Sequence, residues 1–409
     1  MLAIRAGQLI DGWGGPPLRD AVILVEGQRI AEVGPTEEVR IPEGAEVVEA
    51  GNKTVMPGMV DAHVHIHTLG GPPENFALAE VQVLQGMLAL RACSYARLDL
   101  EMGFTALRSL GSPHYVDVAL REAINQGVVE GPRLRVAGQG VSVTGGHMDK
   151  AHFAPEVSVL GRTGVGDGPW ELRKAARTQI KYGADLIKIN VCSGGQYRLD
   201  PPWVQEMTFE EIAAVCEEAH WFHRRVAAHT SGGPGITDAI RAGVDTLEHG
   251  HWLTDEQIEM MVERGTFYVP TVIVNSRSVA LGKERRGISD AAWAWLQKVY
   301  EEKWDSLARA KAAGVKIAVG TDAGFVVSHG ENACELEELV KGGFTPMEAI
   351  VAATRIGAEC LDWADEIGTI ERGKYADLVI VDGDPLSDIR ILQDKSKIAC
   401  VFKGGRMVK

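Results

Sequence analysis

The sequence predicts an α/β protein built as a (β/α)8 TIM barrel, with a small composite β-sandwich domain formed by the N- and C-terminal segments. Three observations predict this architecture. Apolar, strand-like segments alternate with helical segments through the middle of the chain. Short strands broken by turns occupy both chain ends. Polar side chains fall at the carboxyl ends of the middle strands, where such barrels carry their chemistry.

The two ends of the chain resemble each other in kind. Residues 1–57 include AVILVEGQRIAEVG and AEVVEAGNKTVMPG, and residues 376–409 include ADLVIVDGDP and IACVFKGGRMVK. Because chain termini tend to lie close together, we expect these pieces to share one sheet structure. The predicted division is residues 1–57 plus 364–409 for the composite β-sandwich and residues 58–363 for the barrel.

The middle of the chain repeats the order of apolar strand, loop and helix. The candidate strands are MVDAHVHI, FTALRSLG, RLRVAGQGVS, ADLIKINVCSGG, RVAAHTSG, TLEHGHW, FYVPTVIV and KIAVGTDAG. Helical stretches such as TFEEIAAVCEEAHWF separate them, and Gly-Ala-Asp or Gly-Val-Asp links mark a helix end followed by a strand start. Periodicity alone also allows a doubly wound open sheet, but the position of the polar residues favours the barrel.

Charge and cysteine usage narrow the class of function. The formal net charge of -14 argues against a nucleic-acid partner. The sequence has no apolar run long enough for a membrane span and no signal-peptide apolar region, so we expect a cytoplasmic location. The 6 cysteines form no CxxC pair, which predicts neither a disulfide framework nor a thiolate zinc site. The expected partners are a small-molecule substrate and further copies of the chain in a homo-oligomer, with no nucleic acid and no membrane.

Several side chains at the ends of the candidate strands point to a metal site. They are His63 and His65 on the first strand, Lys188 on the fourth, His229 on the fifth, His249 on the sixth and Asp322 on the eighth. His63 and His65 alternate, so both project from the same face of a strand. A single buried histidine is commonly satisfied by a backbone carbonyl. The joint set instead indicates two divalent ions, because it supplies imidazole nitrogens, a hard oxygen donor and a bridging group.

Lys188 needs its own explanation, because an ammonium group cannot ligate a cation and its burial is penalised by desolvation. One interpretation is a salt bridge, with Asp185 or Asp322 as the partner. The other is that burial and nearby metals favour the neutral amine, which adds carbon dioxide to form a carbamate. That carbamate would be an anionic oxygen ligand able to bridge two metals.

At this point the chain resembles the amidohydrolase superfamily, specifically its branch of imidazolonepropionase-like metal-dependent dipeptidases and amide hydrolases. The segments that carry the resemblance are PGMVDAHVH, IKINVCSGG, AAHTSG, TLEHG, VGTDAG and IGTIERGKYADLVIVDGDPL, in order along essentially the whole chain. The resemblance implies one metal held by His63, His65, Lys188 and Asp322, and a second held by Lys188, His229 and His249. It also implies a hydroxide between them and zinc as the commonest metal, although imidazole-rich sites accept manganese, iron or cobalt as well.

Hydrolysis by attack of the metal-bridging hydroxide follows from this arrangement. Two cations lower the pKa of a bridging water and polarise the carbonyl under attack. Asp322 is placed to accept the proton of the hydroxide and to deliver it to the departing nitrogen. The expected reaction is cleavage of an amide bond in a dipeptide or N-acyl amino acid. Hydrolysis of a carbamate, an aryl amide or phenylurea, or a lactone is the alternative.

Substrate contacts are expected beside the strand ends. The resemblance implies that His147, in VTGGHMDK, holds a substrate carbonyl or carboxylate, and the alternative is a solvated loop histidine. Dipeptidases of this branch often carry a tyrosine two positions after the fifth-strand histidine, whereas this chain has Thr230 and Ser231 in that stretch. Tyr197 or Arg198, which follow Lys188, are the candidates to replace that contact.

The sequence allows more than one role for three other histidines and for one long segment. His329 is expected either to line the pocket or to order the loop beyond the eighth strand. His67 and His251 are expected to be loop residues, or to contact the metal ligands, rather than to bind metal themselves. Residues 275–305 are expected to form a long loop, either a lid over the barrel or a solvated turn. Its basic GKERRG cluster would favour anionic substrates if it faces the barrel mouth.

Two other classes of protein on such a barrel remain to be weighed. A metal-dependent isomerase or deaminase would usually hold one metal without a bridging lysine, so Lys188 argues against it. A catalytically silent scaffold would be expected to have lost at least one metal-binding position, and none is missing. Metal analysis combined with a hydrolysis assay separates the three classes.

Overall fold

The computed structural model describes residues 1–68, 82–149, 164–193, 201 and 203–409. The strands assigned within those residues are β1 (Leu2–Leu9), β2 (Leu18–Glu26), β3 (Arg29–Pro35), β4 (Glu46–Glu49), β5 (Thr54–Pro57), β6 (Met59–Val64), β7 (Phe104–Ser109), β8 (Arg133–Val136), β9 (Leu186–Asn190), β10 (Arg225–Thr230), β11 (Thr246–His249), β12 (Phe267–Val269), β13 (Leu378–Val381), β14 (Ile398–Lys403) and β15 (Arg406–Met407). The α-helices are α1 (Gln85–Glu101), α2 (Val116–Asn125), α3 (Gly168–Lys181), α4 (Phe209–Trp221), α5 (Pro234–Ala242), α6 (Asp255–Arg264), α7 (Val272–Arg286), α8 (Asp290–Ala313), α9 (Cys334–Lys341), α10 (Pro346–Ala353) and α11 (Arg355–Cys360).

The middle of the chain forms the predicted barrel. Strands β6, β7 and β8 make one parallel sheet, and β9, β10, β11 and β12 make another. Val141, in the segment that follows β8, pairs with β9, since its amide donates to the Lys188 carbonyl at 2.7 Å and its carbonyl accepts from the Asn190 amide at 3.0 Å. The Asp185 amide, just before β9, donates to the Val136 carbonyl of β8 at 2.7 Å. An open sheet would also be parallel, so it is the closure of the ring between β12 and β6 by the eighth segment that confirms the barrel.

The eighth barrel position differs from a regular strand. Within KIAVGTDAG, Ile317 bridges to Tyr268 of β12 and Ala323 bridges to Val64 of β6, and both bridges are parallel. The backbone between them leaves extended geometry at Asp322, where φ is 55°. This segment still closes the ring, but the irregular residue interrupts the ladder in the way that a bulge does.

Helices cover the outside of the barrel and begin where the sequence places capping residues. Thr208 and Glu211 form a reciprocal capping box at the start of α4, and Thr254 and Gln257 do the same at α6. Both helices turn apolar residues inward, such as Ile212 and Met261, which are fully buried. A cap of this kind stabilises a helix by about 1 kcal/mol, so apolar packing supplies most of the stability.

The prediction of a long loop over residues 275–305 was wrong. The segment forms a helical hairpin, with α7 interrupted at Gly282 and α8 capped by the Ser289 hydroxyl, which accepts from the Ala292 amide. The charged residues 283–286 form the last turn of α7 between Gly282 and Gly287, and this charged, glycine-flanked stretch hid the helical periodicity of the sequence on either side. Whether the hairpin acts as a lid stays a prediction.

The chain termini share one sheet, as predicted. Its order is β15-β14-β13-β5-β1-β2-β3, with β4 paired to β1, and the two termini meet where β13 runs antiparallel to β5. Ile4 and Leu378 bury one face in a common apolar cluster, while Val379 and Val401 pack into the barrel core. This anchors the sheet beside the barrel. The boundaries at 57/58 and 363/364 stay a prediction.

The helices and the cysteines bear on what composition indicated about membrane spans and disulfides. Within the described residues, no helix is both long enough and apolar enough to cross a bilayer. All 6 cysteines are free thiols, as expected from their spacing.

A candidate metal centre

The structure brings most of the predicted ligand side chains together at the carboxyl ends of the barrel strands. The ring centre of His249 lies 5.0 Å from that of His63 and 4.6 Å from that of His229. Asp322 Oδ1 lies 3.1 Å from His65 Nε2 and 3.5 Å from His63 Nε2. One ligand-type atom from each of His63, His249 and Asp322 lies within 4.8 Å of the others. This spacing is compact enough for several side chains to contact one cation.

Two of these residues have an unusual backbone. His249 has φ of 70° and Asp322 has φ of 55°, in the left-handed region that residues other than glycine seldom adopt. Such conformations cost roughly 1–3 kcal/mol each and persist where surrounding contacts enforce them. At Asp322 the enforcing contact is its amide, which donates to the His63 carbonyl at 2.7 Å. The strain therefore lies at the ends of the strands that carry the site.

A buried ion pair orients His63 from behind. His63 Nδ1 lies 2.9 Å from Glu248 Oε2, and Glu248 Oε1 accepts from Arg108 Nη2 at 2.7 Å and from the Thr246 hydroxyl at 2.5 Å. Burial alone would raise the pKa of Glu248, but Arg108 and His63 lower it to about 2. An ionised carboxylate at Nδ1 keeps the proton there and leaves Nε2 free to ligate. Sequence analysis missed this pair, although a glutamate in TLEHG and an arginine in FTALRSLG are conspicuous within buried strands.

The other two histidines of this group are oriented in the same way. His65 Nδ1 lies 3.2 Å from the Gly111 carbonyl oxygen, and His249 Nδ1 lies 2.7 Å from the Thr271 hydroxyl. In each case an oxygen atom contacts Nδ1, the ring nitrogen that points away from the centre. His63, His65 and His249 thus present the same ring nitrogen, Nε2, to one space.

Lys188 and His229 are buried, and each has a side-chain nitrogen without a hydrogen-bond partner among the described residues. Lys188 is 3% exposed and His229 is 9% exposed, and within the described part of the chain Lys188 Nζ and His229 Nε2 make no hydrogen bond. Asp185, one possible salt-bridge partner of Lys188, instead accepts from Arg121 Nη1 at 2.7 Å. A buried polar group without a partner costs about 1–3 kcal/mol. Two of them beside each other indicate a ligand that satisfies both.

The protonation states suit a cation. Burial lowers the pKa of His63 to about 4, and it lowers the pKa values of His229 and His249 well below their ordinary range. Burial also lowers the pKa of Lys188 to about 8. Burial would raise the pKa of Asp322, but the attraction of His63 and His65 outweighs it and lowers that pKa. Near neutral pH the site therefore offers neutral imidazoles and an ionised carboxylate, which are the forms that bind divalent metals.

His147 lies at the edge of this cluster. Its ring stacks on that of His229 with centres 4.3 Å apart, and its Nδ1 lies 2.8 Å from the Ser193 carbonyl oxygen. Burial lowers the pKa of His147 to about 4. A solvated loop histidine, the alternative considered from the sequence, would not stack on the ring of buried His229 or have its Nδ1 against a backbone carbonyl.

The other three candidate histidines, His67, His251 and His329, are farther out or turned away. The ring of His67 lies 6.3 Å from that of His65, and the ring of His251 lies 5.9 Å from that of His249. His329 has both ring nitrogens in contact with protein atoms, with Nδ1 2.8 Å from Asp99 Oδ2 and Nε2 3.3 Å from the His65 carbonyl oxygen. Its contacts fit the loop-ordering role better than a role in the pocket. Tyr197 and Arg198 lie outside the described residues.

Helix α8 reaches the same side of the barrel. Trp295 packs edge-on against Trp203 with ring centres 4.5 Å apart, and Trp203 meets Trp252 at 5.2 Å. Trp252 follows His249 by three residues and donates its amide to the Ser231 carbonyl. The helical hairpin therefore contacts the segment that follows β9 through Trp203, and it contacts the loop that follows β11, where the Leu253 amide donates to the Ser306 hydroxyl of α8 at 3.0 Å.

Comparison with known proteins agrees with this geometry. The model of the amidohydrolase family matches residues 54–408. An ochratoxinase from Aspergillus niger is 34% identical over 437 aligned residues, which cover 99% of this chain and 86% of that protein. A crystal structure of a Xaa-Pro dipeptidase with methionine bound in its active site superposes with a TM-score of 0.92 and 34% identity, covering 100% of this chain and 99% of that one. An imidazolonepropionase from Streptomyces avermitilis is 25% identical, with 98% of this chain and 90% of that protein covered.

Proposed function

The chain belongs to the amidohydrolase family and is a hydrolase of amide bonds, and we propose that it is a binuclear metal-dependent enzyme that cleaves a dipeptide or an N-acyl amino acid. The observation that carries the proposal is a pair of buried atoms, Lys188 Nζ and His229 Nε2, that find no hydrogen-bond partner among the described residues and lie with three oriented imidazoles and an ionised Asp322. This donor set has the chemistry that two divalent cations require.

In the proposed centre, the two cations share one ligand. His63, His65, Lys188 and Asp322 would hold the first metal, and Lys188, His229 and His249 would hold the second. Zinc suits these donors best, because four of the side chains are imidazoles.

Lys188 serves as the shared ligand after a covalent change. Its neutral Nζ adds to carbon dioxide, a nitrogen–carbon bond forms, and one proton is released to give an anionic carbamate. The lowered pKa of Lys188 supports this step, because a larger fraction of neutral amine is present near pH 8 than for an exposed lysine. The two carbamate oxygens would then satisfy a site where the ammonium form finds no acceptor.

The chemistry divides between the cations and the protein. When bound, a pair of divalent cations supplies hydroxide near neutral pH and polarises the scissile carbonyl. Asp322 takes up the proton released as the nucleophile attacks and transfers it to the leaving nitrogen. His147, stacked against His229, donates a hydrogen bond to the substrate carbonyl or carboxylate. No covalent intermediate with the protein is needed.

The substrate carboxylate is the least constrained part of the proposal. The Thr230 hydroxyl donates to the Glu248 carbonyl at 3.1 Å and is fully buried, and Ser231 is also buried. Neither residue is positioned as an exposed tyrosine would be to hold a carboxylate. Tyr197 or Arg198 remains our candidate for that contact. If neither makes it, carbamates, aryl amides or phenylureas, and lactones become the better class of substrate.

A substrate screen tests the proposed function directly. Dipeptides, N-acyl amino acids, aryl amides, phenylureas, carbamates and lactones should be assayed, each carboxylate substrate beside its methyl ester. We expect the highest kcat/KM for dipeptides or N-acyl amino acids and a clear loss when the free carboxylate is esterified. Activity confined to neutral esters or lactones would contradict the proposal.

The proposed setting follows from the sequence. We propose that the enzyme works in the cytoplasm as a homo-oligomer on small molecules, with no nucleic-acid or membrane partner. The net charge of -14 supports the exclusion of nucleic acid.

A further inference from the structure

Thr271 occupies the N-terminal cap position of α7 without capping it. Threonine at this position usually has an extended backbone and accepts a hydrogen bond from an amide of the first turn. Here Thr271 has φ of 45° and ψ of 47°, and its side chain makes no capping hydrogen bond. A β-branched residue is a clear outlier in this left-handed region. Its hydroxyl lies instead 2.7 Å from His249 Nδ1.

The missing cap is supplied from another helix. Glu335 lies in the first turn of α9, more than sixty positions along the chain, and its side chain is fully buried. Its Oε1 accepts from the Val272 amide and its Oε2 accepts from the Ile273 amide, both at 2.8 Å. These are the first two amides of α7, which have no carbonyl partner within the helix.

A lysine of α8 completes the arrangement on the opposite side of the same peptide. Lys303 is 2% exposed, and its Nζ donates to the Val272 carbonyl at 2.7 Å. Glu335 and Lys303 therefore hold the amide and the carbonyl of Val272 from two different helices. The residue immediately before it, Thr271, has little freedom to return to the extended conformation of an ordinary cap.

We propose that Glu335 is a positioning residue for His249 and acts through Thr271. By capping α7 in place of Thr271, Glu335 leaves the threonine hydroxyl to accept from His249 Nδ1, which directs Nε2 toward the centre. The inference rests on the proposed function, because it matters for catalysis only if His249 is a metal ligand. Glu335 itself touches none of the candidate ligands among the contacts of the described residues.

Metal affinity tests the inference without an activity assay. Competition with a chromophoric chelator gives the dissociation constants for Zn²⁺ of the wild type, Glu335→Ala, Thr271→Val and the double variant. We expect the dissociation constant of the ion that His249 would hold to rise about 10- to 100-fold in each single variant. This is the range typical of groups that orient a ligating histidine. The double variant should lose no more Zn²⁺ affinity than Thr271→Val alone, because both changes interrupt the same series of contacts from Glu335 through Thr271 to His249. Thr271→Ser, which keeps the hydroxyl, should bind as the wild type does.

A matched control separates positioning from helix stability. Glu211 also accepts from two backbone amides, those of Thr208 and Gly168 at 2.8 Å each, but in the part of the chain that the structure describes none of its hydrogen bonds involves a candidate ligand or a residue that contacts one. Glu211→Ala should lower the melting temperature without changing Zn²⁺ affinity. If Glu335→Ala does not fold, Glu335→Gln keeps one acceptor and gives the same comparison.

Three outcomes distinguish the possible failures. Unchanged Zn²⁺ affinity in folded Glu335→Ala or Glu335→Gln, or additive losses in the double variant, would overturn the inference. If His249→Ala lost one metal while the Glu335 and Thr271 variants kept both, the inference would fail and the proposed function would stand. If His249→Ala kept both metals, the proposed centre itself would be wrong, and this inference with it.

Discussion

Asp322→Asn should lower kcat by roughly 10²- to 10⁴-fold, the range by which a positioned general acid–base group accelerates a reaction, while the protein stays folded and keeps much of its metal. The substitution retains the shape of the side chain and one oxygen but removes the group that takes up and delivers the proton. Asparagine tolerates the left-handed backbone of this position, where φ is 55°, as well as aspartate does. Loss of activity therefore reports proton transfer rather than strain.

The control for this variant is a second aspartate with the same backbone conformation. Asp362 has φ of 57° and pairs with Arg225 on the surface, away from the centre. Asp362→Asn should leave kcat unchanged. Turnover of Asp322→Asn near the wild-type value would remove Asp322 from the mechanism, and the comparison should be made by steady-state kinetics with metal content measured on the same samples.

Lys188→Ala should remove metal and activity together. If Lys188 carries the shared carbamate, both cations lose a ligand in this variant, and nothing else described at the site supplies a bridging oxygen. A small carboxylic acid such as formate or propionate, diffusing into the space that the side chain leaves, should restore part of each. Metal content and kcat measured against carboxylate concentration check this expectation.

The salt-bridge interpretation of Lys188 predicts a different result. Breaking a buried ion pair would cost about 3–5 kcal/mol of stability, while the folded fraction would keep its metals. Lys403 provides the control, because it is a half-buried lysine of the terminal sheet that donates to the Gly131 carbonyl at 2.6 Å. Lys403→Ala should lose stability but not metal. A Lys188→Ala protein that behaved in the same way would contradict the carbamate.

Much of the site could be predicted from the sequence because strand ends are a local signal. An apolar run followed by a polar residue places that residue at the carboxyl end of a strand, and all such ends meet on one side of a parallel barrel. His63, His229 and His249 were found in this way, without any knowledge of which strands are neighbours. The pairing of the chain ends was predictable for a similar reason, since strands such as β5 and β13 are short apolar runs bounded by turn residues.

The parts that could not be predicted depend on contacts between distant residues. Glu248 meets Arg108 across 140 positions, and Glu335 reaches Val272 across 63. No local pattern shows which residues pair, because a charged residue in an apolar stretch does not reveal its partner so far along the chain. The irregular eighth strand could not be predicted for a related reason. The Asp322 amide donates to the carbonyl of His63 in β6, and this contact between distant residues accompanies the bend in the backbone.

The most direct test of the binuclear centre is elemental analysis of the protein purified under metal-replete conditions. The proposed ligand set predicts close to two divalent ions per chain, loss of activity when a chelator removes them, and recovery when Zn²⁺ is added back. It also predicts that the second ion depends on Lys188, which belongs to both ligand sets. No more than one firmly bound ion per chain in fully active protein would contradict the binuclear centre.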